Sequence, residues 1–161
     1  PLCNDLLRLP PGGMPAMTED PAAAGARFET AYAFIPGATM RDIVTSRLHG
    51  WTDTRVWIIA RPITGLAETF AQYAVEVLPG GGSAKPEPDP EAEAAILVAE
   101  GQMTLTIDGV THTLGKGGYA YLPASVEWTL HNNGTETLRF HWIRKRYEAV
   151  PGLGHPDVVI T

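Results

Sequence analysis

The chain has 161 residues, 44% of them hydrophobic and 19% charged, with a net charge of -6 and a pI near 5.3. That is long enough for one domain with a proper core and too apolar for a disordered chain. The acidic balance argues against nucleic acid and anionic membrane surfaces as partners, and no apolar run is long enough to span a bilayer.

Residues 1–27 are rich in Pro, Gly and Ala and read as an N-terminal arm, with a short helical turn at Pro21–Ala26. Cys3 is the single cysteine, so neither an internal disulfide nor a thiolate zinc site is available, and a reducing, cytoplasmic setting fits. The opening PLCNDLLRLPPGG lacks the basic-then-apolar pattern of a signal peptide, and Met14 and Met17 are candidate natural starts. From Phe28 onward the pattern is short strands and turns. Strands are expected at Thr30–Ile35, Arg55–Ala60, Thr69–Leu78, Ala94–Glu100, Gln102–Ile107, Val110–Leu114, Tyr119–Leu122, Glu127–His131 and Thr137–Tyr147. In QMTLTIDGVTHTL, Met103, Leu105 and Ile107 alternate with polar residues, Asp108-Gly109 supplies a tight turn, and Val110, His112 and Leu114 alternate on the return. No segment of ordinary helix length has a helical period. Residues 151–161 shift to Pro and Gly, as linkers do, and then to Val158-Val159-Ile160, a short apolar strand in want of a partner. The expectation is therefore an all-β fold, a sandwich or a small barrel.

The order of features from Pro79 to Asn132 resembles a cupin, a jelly-roll small barrel. PGG precedes an apolar strand that closes on Glu-Gly, and a DG hairpin follows. Then LGKGGYAYLPASVEWTLHN gives Gly117, five residues, Pro123 and later Asn132. More narrowly, the chain resembles the N-terminal half of the (S)-ureidoglycine aminohydrolases, a family once described as glyoxylate-induced proteins. SRLHGWTDTRVWIIARPITGLAETFAQYAVEVLPGGGS, GGYAYLPAS and RKRYEAVPG carry that resemblance. Members are bicupins of about twice this domain size. The resemblance implies an arm at 1–27, one cupin domain at 28–150, and at 151–161 the start of a linker to a second cupin. It also implies that manganese and the chemistry sit in that second, C-terminal cupin. There ureidoglycine loses ammonia and becomes ureidoglycolate, within purine and allantoin catabolism. The expected partners are that second domain, further copies of the chain, and a small-molecule substrate.

A metal cupin needs imidazole and carboxylate ligands converging inside the barrel. Counting from PGG, the first ligand pair falls near Lys85 to Glu87. Counting back from Gly101, the next falls on Glu93 or Ala94. In the second motif the histidine position falls on Trp128. A cationic Lys and a bulky indole suit no divalent ion, so no metal ligand and no catalytic residue are expected here. Glu87, Asp89, Glu91 and Glu93 offer oxygen ligands to a hard cation. Pro86, Pro88 and Pro90 favour polyproline geometry, however, whose period of three would fan acids two apart outward. A solvated acidic loop is the favoured reading.

Glu93 and Trp128 remain as candidate substrate-pocket positions. Trp128 either stacks on a small ligand or plugs a metal-free barrel, with the plug favoured. Glu93 and Glu127 are buried acids or, more simply, exposed ones at strand ends. His131 and His141 are candidate cross-strand neighbours around the NNGTE turn, yet two histidines do not complete a site, and structural roles suit them better. Ser83 and Ser125 lack a base partner. In IRKRYE, Arg144 and Arg146 face one way and Lys145 the other, as ion pairs on a solvated edge or with one cation toward a substrate carboxylate. Three functions stand: the metal-free half of an aminohydrolase, inactive alone; a stand-alone metal-free cupin that binds a small molecule or acts structurally; and a metal-independent isomerase or epimerase.

Overall fold

The computed structural model describes residues 25, 27–29, 32–36, 48–60 and 69–161. The chain divides into two units after residue 43. In the first, β1 (Arg27–Phe28) pairs antiparallel with β2 (Ala33–Phe34). Of the helical turn expected at 21–26 only Gly25 is described, and residues 30–31, the start of the strand expected at 30–35, lie outside the described residues.

The second unit is a single curled antiparallel sheet of nine strands. They are β3 (Thr52–Ala60), β4 (Phe70–Ser83), β5 (Ala92–Glu100), β6 (Met103–Ile107), β7 (Val110–Leu114), β8 (Tyr119–Leu122), β9 (Trp128–His131), β10 (Leu138–Arg146) and β11 (Val159–Ile160). Their order is β11-β8-β5-β10-β4-β9-β6-β7, with β3 also on β4. Alternation along the strands decides which face is inside. Val75 and Val77, Ile96 and Val98, Met103 and Leu105, and Phe140 and Trp142 join Trp128 and Leu130 in one buried cluster. No described helix is long and apolar enough to cross a membrane.

The DG hairpin forms where its sequence asks. Asp108 and Gly109 both have positive φ, 48° and 80°, and Ile107 pairs with Val110. Its two strands differ, because β7 lies at the end of the strand order: Leu114 is buried, while Val110 is 58% exposed. The tail strand also finds its partner, with Val159 opposite Tyr121 and Ile160 opposite Ala120.

β1 is not among the expected strands, β3 begins at Thr52 rather than Arg55, and β4 departs furthest from expectation. β4 does not stop at Leu78 but runs through the Pro-Gly-Gly-Gly tract to Ser83. Phe70–Val77 pairs with β10, and Gly82 and Ser83 pair with His131 and Leu130 of β9. The glycines are thus a corner inside a strand, carrying it from one half of the barrel to the other. Asn132 holds that corner. Fully buried, it donates from Nδ2 to the carbonyls of Val77 (2.9 Å) and Glu136 (2.8 Å), and its Oδ1 accepts from Gly134 N–H (3.0 Å). Its backbone N–H donates to Gly81, and its carbonyl accepts from Gly80. Asn132→Ala is expected to cost about 2 kcal/mol, because the Val77 carbonyl would stay buried without a donor. A lower urea midpoint at unchanged slope is the readout.

Candidate functional site at the barrel mouth

Between β4 and β5 lies the Pro-rich segment Lys85–Glu91. Prolines at 86, 88 and 90 have no N–H, so only alternate residues need an acceptor. Lys85, Asp89 and Glu91 each find one two residues back. Lys85 N–H donates to Ser83 Oγ (3.1 Å), Asp89 N–H to Glu87 Oε1 (3.0 Å), and Glu91 N–H to Asp89 Oδ1 (3.0 Å). The acids therefore do not fan outward as polyproline geometry predicted. Glu87, Asp89 and Glu91 all reach the arginines of β10, whose side chains share a face because they sit two apart.

Arg144 clamps Glu87 with two bonds, Nε to Oε2 at 2.7 Å and Nη2 to Oε1 at 2.6 Å. The Glu87 side chain is 6% exposed and that of Arg144 29%. Burial disfavours the Arg144 cation, but Glu87 and the Tyr73 hydroxyl outweigh it and hold the guanidinium above its ordinary value. Arg146 binds Asp89 (3.0 Å) and approaches Glu91 (3.4 Å). The Glu91 backbone N–H, then Arg146, hold the Asp89 carboxyl below its ordinary range. Of the two readings of IRKRYE, ion pairing accounts for both arginines. The acidic segment is a strap tied across the mouth of the barrel.

Beneath it the interior is filled by rings. The Trp142 ring centroid lies 5.5 Å from Tyr73, 5.9 Å from Trp51 and 6.0 Å from Trp128, the last edge-on at 89°. The Arg144 guanidinium stands 5.9 Å over Trp142. Trp128 is 7% exposed. A cavity of about 730 Å³ opens beside the strap, lined among others by Lys85, Glu87, Asp108, Ser125, Glu127 and Trp128.

Of the two candidate pocket positions, Trp128 lines this cavity and Glu93 does not. Glu93 lies on the outward face of β5, where its Oε2 accepts the Tyr121 hydroxyl at 2.6 Å. The neighbouring Ala94 points inward. Burial first, then the Glu93 bond, push the Tyr121 phenol well above its ordinary value. A raised pKa means stability present below the unfolded value near 10 and lost as pH rises above it. Tyr121 is thus expected to ionise late, as the fold fails in alkali, and Tyr121→Phe should remove that late step from an absorbance titration.

His131 and His141 are not neighbours. His131 pairs with Gly82 and Thr104, His141 with Ala74 and Leu97, because β9 and β10 each pair with β4 at opposite ends and never with each other. Among the described residues, no three of His, Cys, Asp and Glu converge as a metal ion would need. The expected ligand positions are Lys85 to Glu87, Glu93 or Ala94, and Trp128, and of 93 and 94 only Ala94 points inward. Glu87 is committed to Arg144, Ala94 has no donor, and Trp128 is packed on Trp142. These residues do not fit a metal. The arginine clamp was the feature hardest to see beforehand; its one sequence signal is the matched spacing of two between Arg144 and Arg146 and between Glu87 and Asp89.

The family model of the cupin domain matches residues 73–144. The barrel is a cupin domain. The chain is 48% identical to a glyoxylate-induced protein from Pseudomonas aeruginosa, with a TM-score of 0.77 over 93% of this chain and 54% of that one. It is 25% identical to the E. coli protein Ylba, with a TM-score of 0.73 over 84% of this chain and 54% of that one. A protein of Oryza sativa subsp. japonica named as a (S)-ureidoglycine aminohydrolase is 30% identical over 118 residues, 73% of this chain and 36% of its own length. The cupin chain thus spans about half the length of those two solved relatives and about a third of the rice protein.

Proposed function

We propose that this cupin is the metal-free half of a two-cupin, (S)-ureidoglycine aminohydrolase-like protein. In that reading the manganese and the reaction, water plus ureidoglycine giving ureidoglycolate and ammonia, belong to the other cupin. This half braces that domain and contributes to the oligomer, in the cytoplasm. One observation carries the reading: at the positions where a metal cupin presents ligands, Glu87 is clamped by Arg144, Ala94 has no donor atom and Trp128 packs edge-on against Trp142. Similarity to the rice protein supplies the substrate class.

The test is metal content by mass spectrometry together with ammonia release from ureidoglycine. Both are run on this chain and on a longer form in which it is joined to the rest of the P. aeruginosa protein. Manganese and activity are expected in the longer form alone. Stoichiometric metal or ammonia release from the 161-residue chain would overturn the reading.

The mouth cavity favours a second reading, a stand-alone cupin that binds a small polar molecule over Trp128. Quenching of indole fluorescence by a small ligand, abolished in Trp128→Leu, would support it over the first.

A further inference from the structure

The outward face of the sheet carries an apolar band whose members can be read from the strand register. Residues directly paired across antiparallel strands share a face. One outward row runs Trp57, Ala74, His141, Leu97 and Tyr119. The next runs Gln72, Ile143, Ala95, Tyr121 and Val159. Leu97 is 46% exposed, Ile143 40% and Val159 44%. β5 is apolar along most of both faces, with Ala94, Ile96 and Val98 inward and Ala95, Leu97 and Ala99 outward. A strand that buries only one face normally turns polar residues to the other, so this one is written for burial on both.

The borders of the band are polar. Along one edge Arg139 binds Glu76 (3.0 Å) and Glu100 (2.6 Å), with Arg55 3.7 Å from Glu76. Along the other, Lys145 lies opposite Glu93, which holds Tyr121. A largely apolar centre inside a polar rim has the anatomy of a docking surface.

We propose that this face docks the second domain of the longer relatives, by packing of sheet on sheet. The inference rests on the half-protein reading above. Two observations choose this occupant. Each of the two solved relatives has close to half its chain outside the match, room for a further domain of similar size. Further, β11 is the edge strand of this face. Val159 belongs to the band, and Thr161 exchanges backbone bonds with Tyr119 at 2.9 and 3.0 Å. A domain tethered beyond residue 161 would start at the rim of the face, at high effective concentration.

The test compares two proteins: this chain, and the full-length P. aeruginosa relative with its matched portion replaced by this chain. Leu97→Cys, Ile143→Cys and, on the far edge strand, Val110→Cys are labelled with a maleimide and followed peptide by peptide. At 97 and 143, labelling is expected about tenfold slower in the chimera than in the isolated chain, with no change at 110. Equal rates at 97 and 143 in a chimera that unfolds in one transition would overturn the surface and leave the half-protein reading standing. A chimera whose two portions unfold independently would overturn that reading itself. An isolated chain that sediments as a dimer and labels slowly at 97 would replace the occupant with a second copy.

Discussion

Glu87→Ala is expected to destabilise the cupin by about 3 kcal/mol, toward the lower end for breaking a buried ion pair because Arg144 keeps some contact with water. The loss does not measure the attraction between the two groups. It measures a guanidinium left against Trp142 and Tyr73 with its carboxylate gone. It follows that removing both charges is milder than removing one. Glu87→Met combined with Arg144→Leu should recover most of the stability, since a packed apolar pair of similar volume avoids the desolvation of both ions. Salt gives a further discrimination. The exposed Arg146 pairs weaken as ionic strength rises, whereas the buried Glu87 clamp changes little. Urea midpoints of the single and double variants, at low and high salt, check all three statements. Equal destabilisation by the single and double changes would refute the account.

The second large effect is Gly82→Ala, about 4 kcal/mol from strain and overpacking together. Gly82 has φ of +138°, which L side chains rarely adopt. A Cβ there would fall on the Leu130 carbonyl oxygen and 2.8 Å from His131 Cα. Both are backbone atoms of β9, so neither can swing aside, and the corner of β4 would have to part from its neighbour. Gly80→Ala is the control. It has φ of +81° but nothing within 4 Å, so only the backbone term applies, about 1 kcal/mol. If the two substitutions cost the same, close approach to β9 is not what requires glycine at 82.

Much of this molecule is legible residue by residue. The DG hairpin is, because a two-residue turn needs only its own dihedrals and an alternating pattern on either side. The apolar tail at Val158-Val159-Ile160 asks for a partner and receives β8. Other features are not legible, each for a physical reason. Glu93 and Ala94 differ by one residue, and in a strand one residue is the whole difference between outward and inward. The glycine tract after Leu78 looks like the end of a strand, because local propensity cannot register the partner strand that keeps it extended. The two histidines looked paired because successive strands usually are. Here the intervening turn links strands held apart by β4.

By itself the amino-acid sequence determined the all-β class, most strand positions, the hairpin turn and the chemical character of the mouth. All of these follow from interactions over a few residues. Only the tertiary structure decided that the acidic segment closes on β10 rather than opening to water. Glu87 and Arg144 are 57 positions apart, and their meeting depends on β5, β4 and β10 lying in register. Polyproline propensity acts on each residue separately and favours acids splayed at a period of three. Two partly buried arginine–carboxylate hydrogen bonds, together with the side-chain acceptors that Lys85, Asp89 and Glu91 find for their N–H groups, outweigh it. The arginine bonds exist only once the barrel has formed.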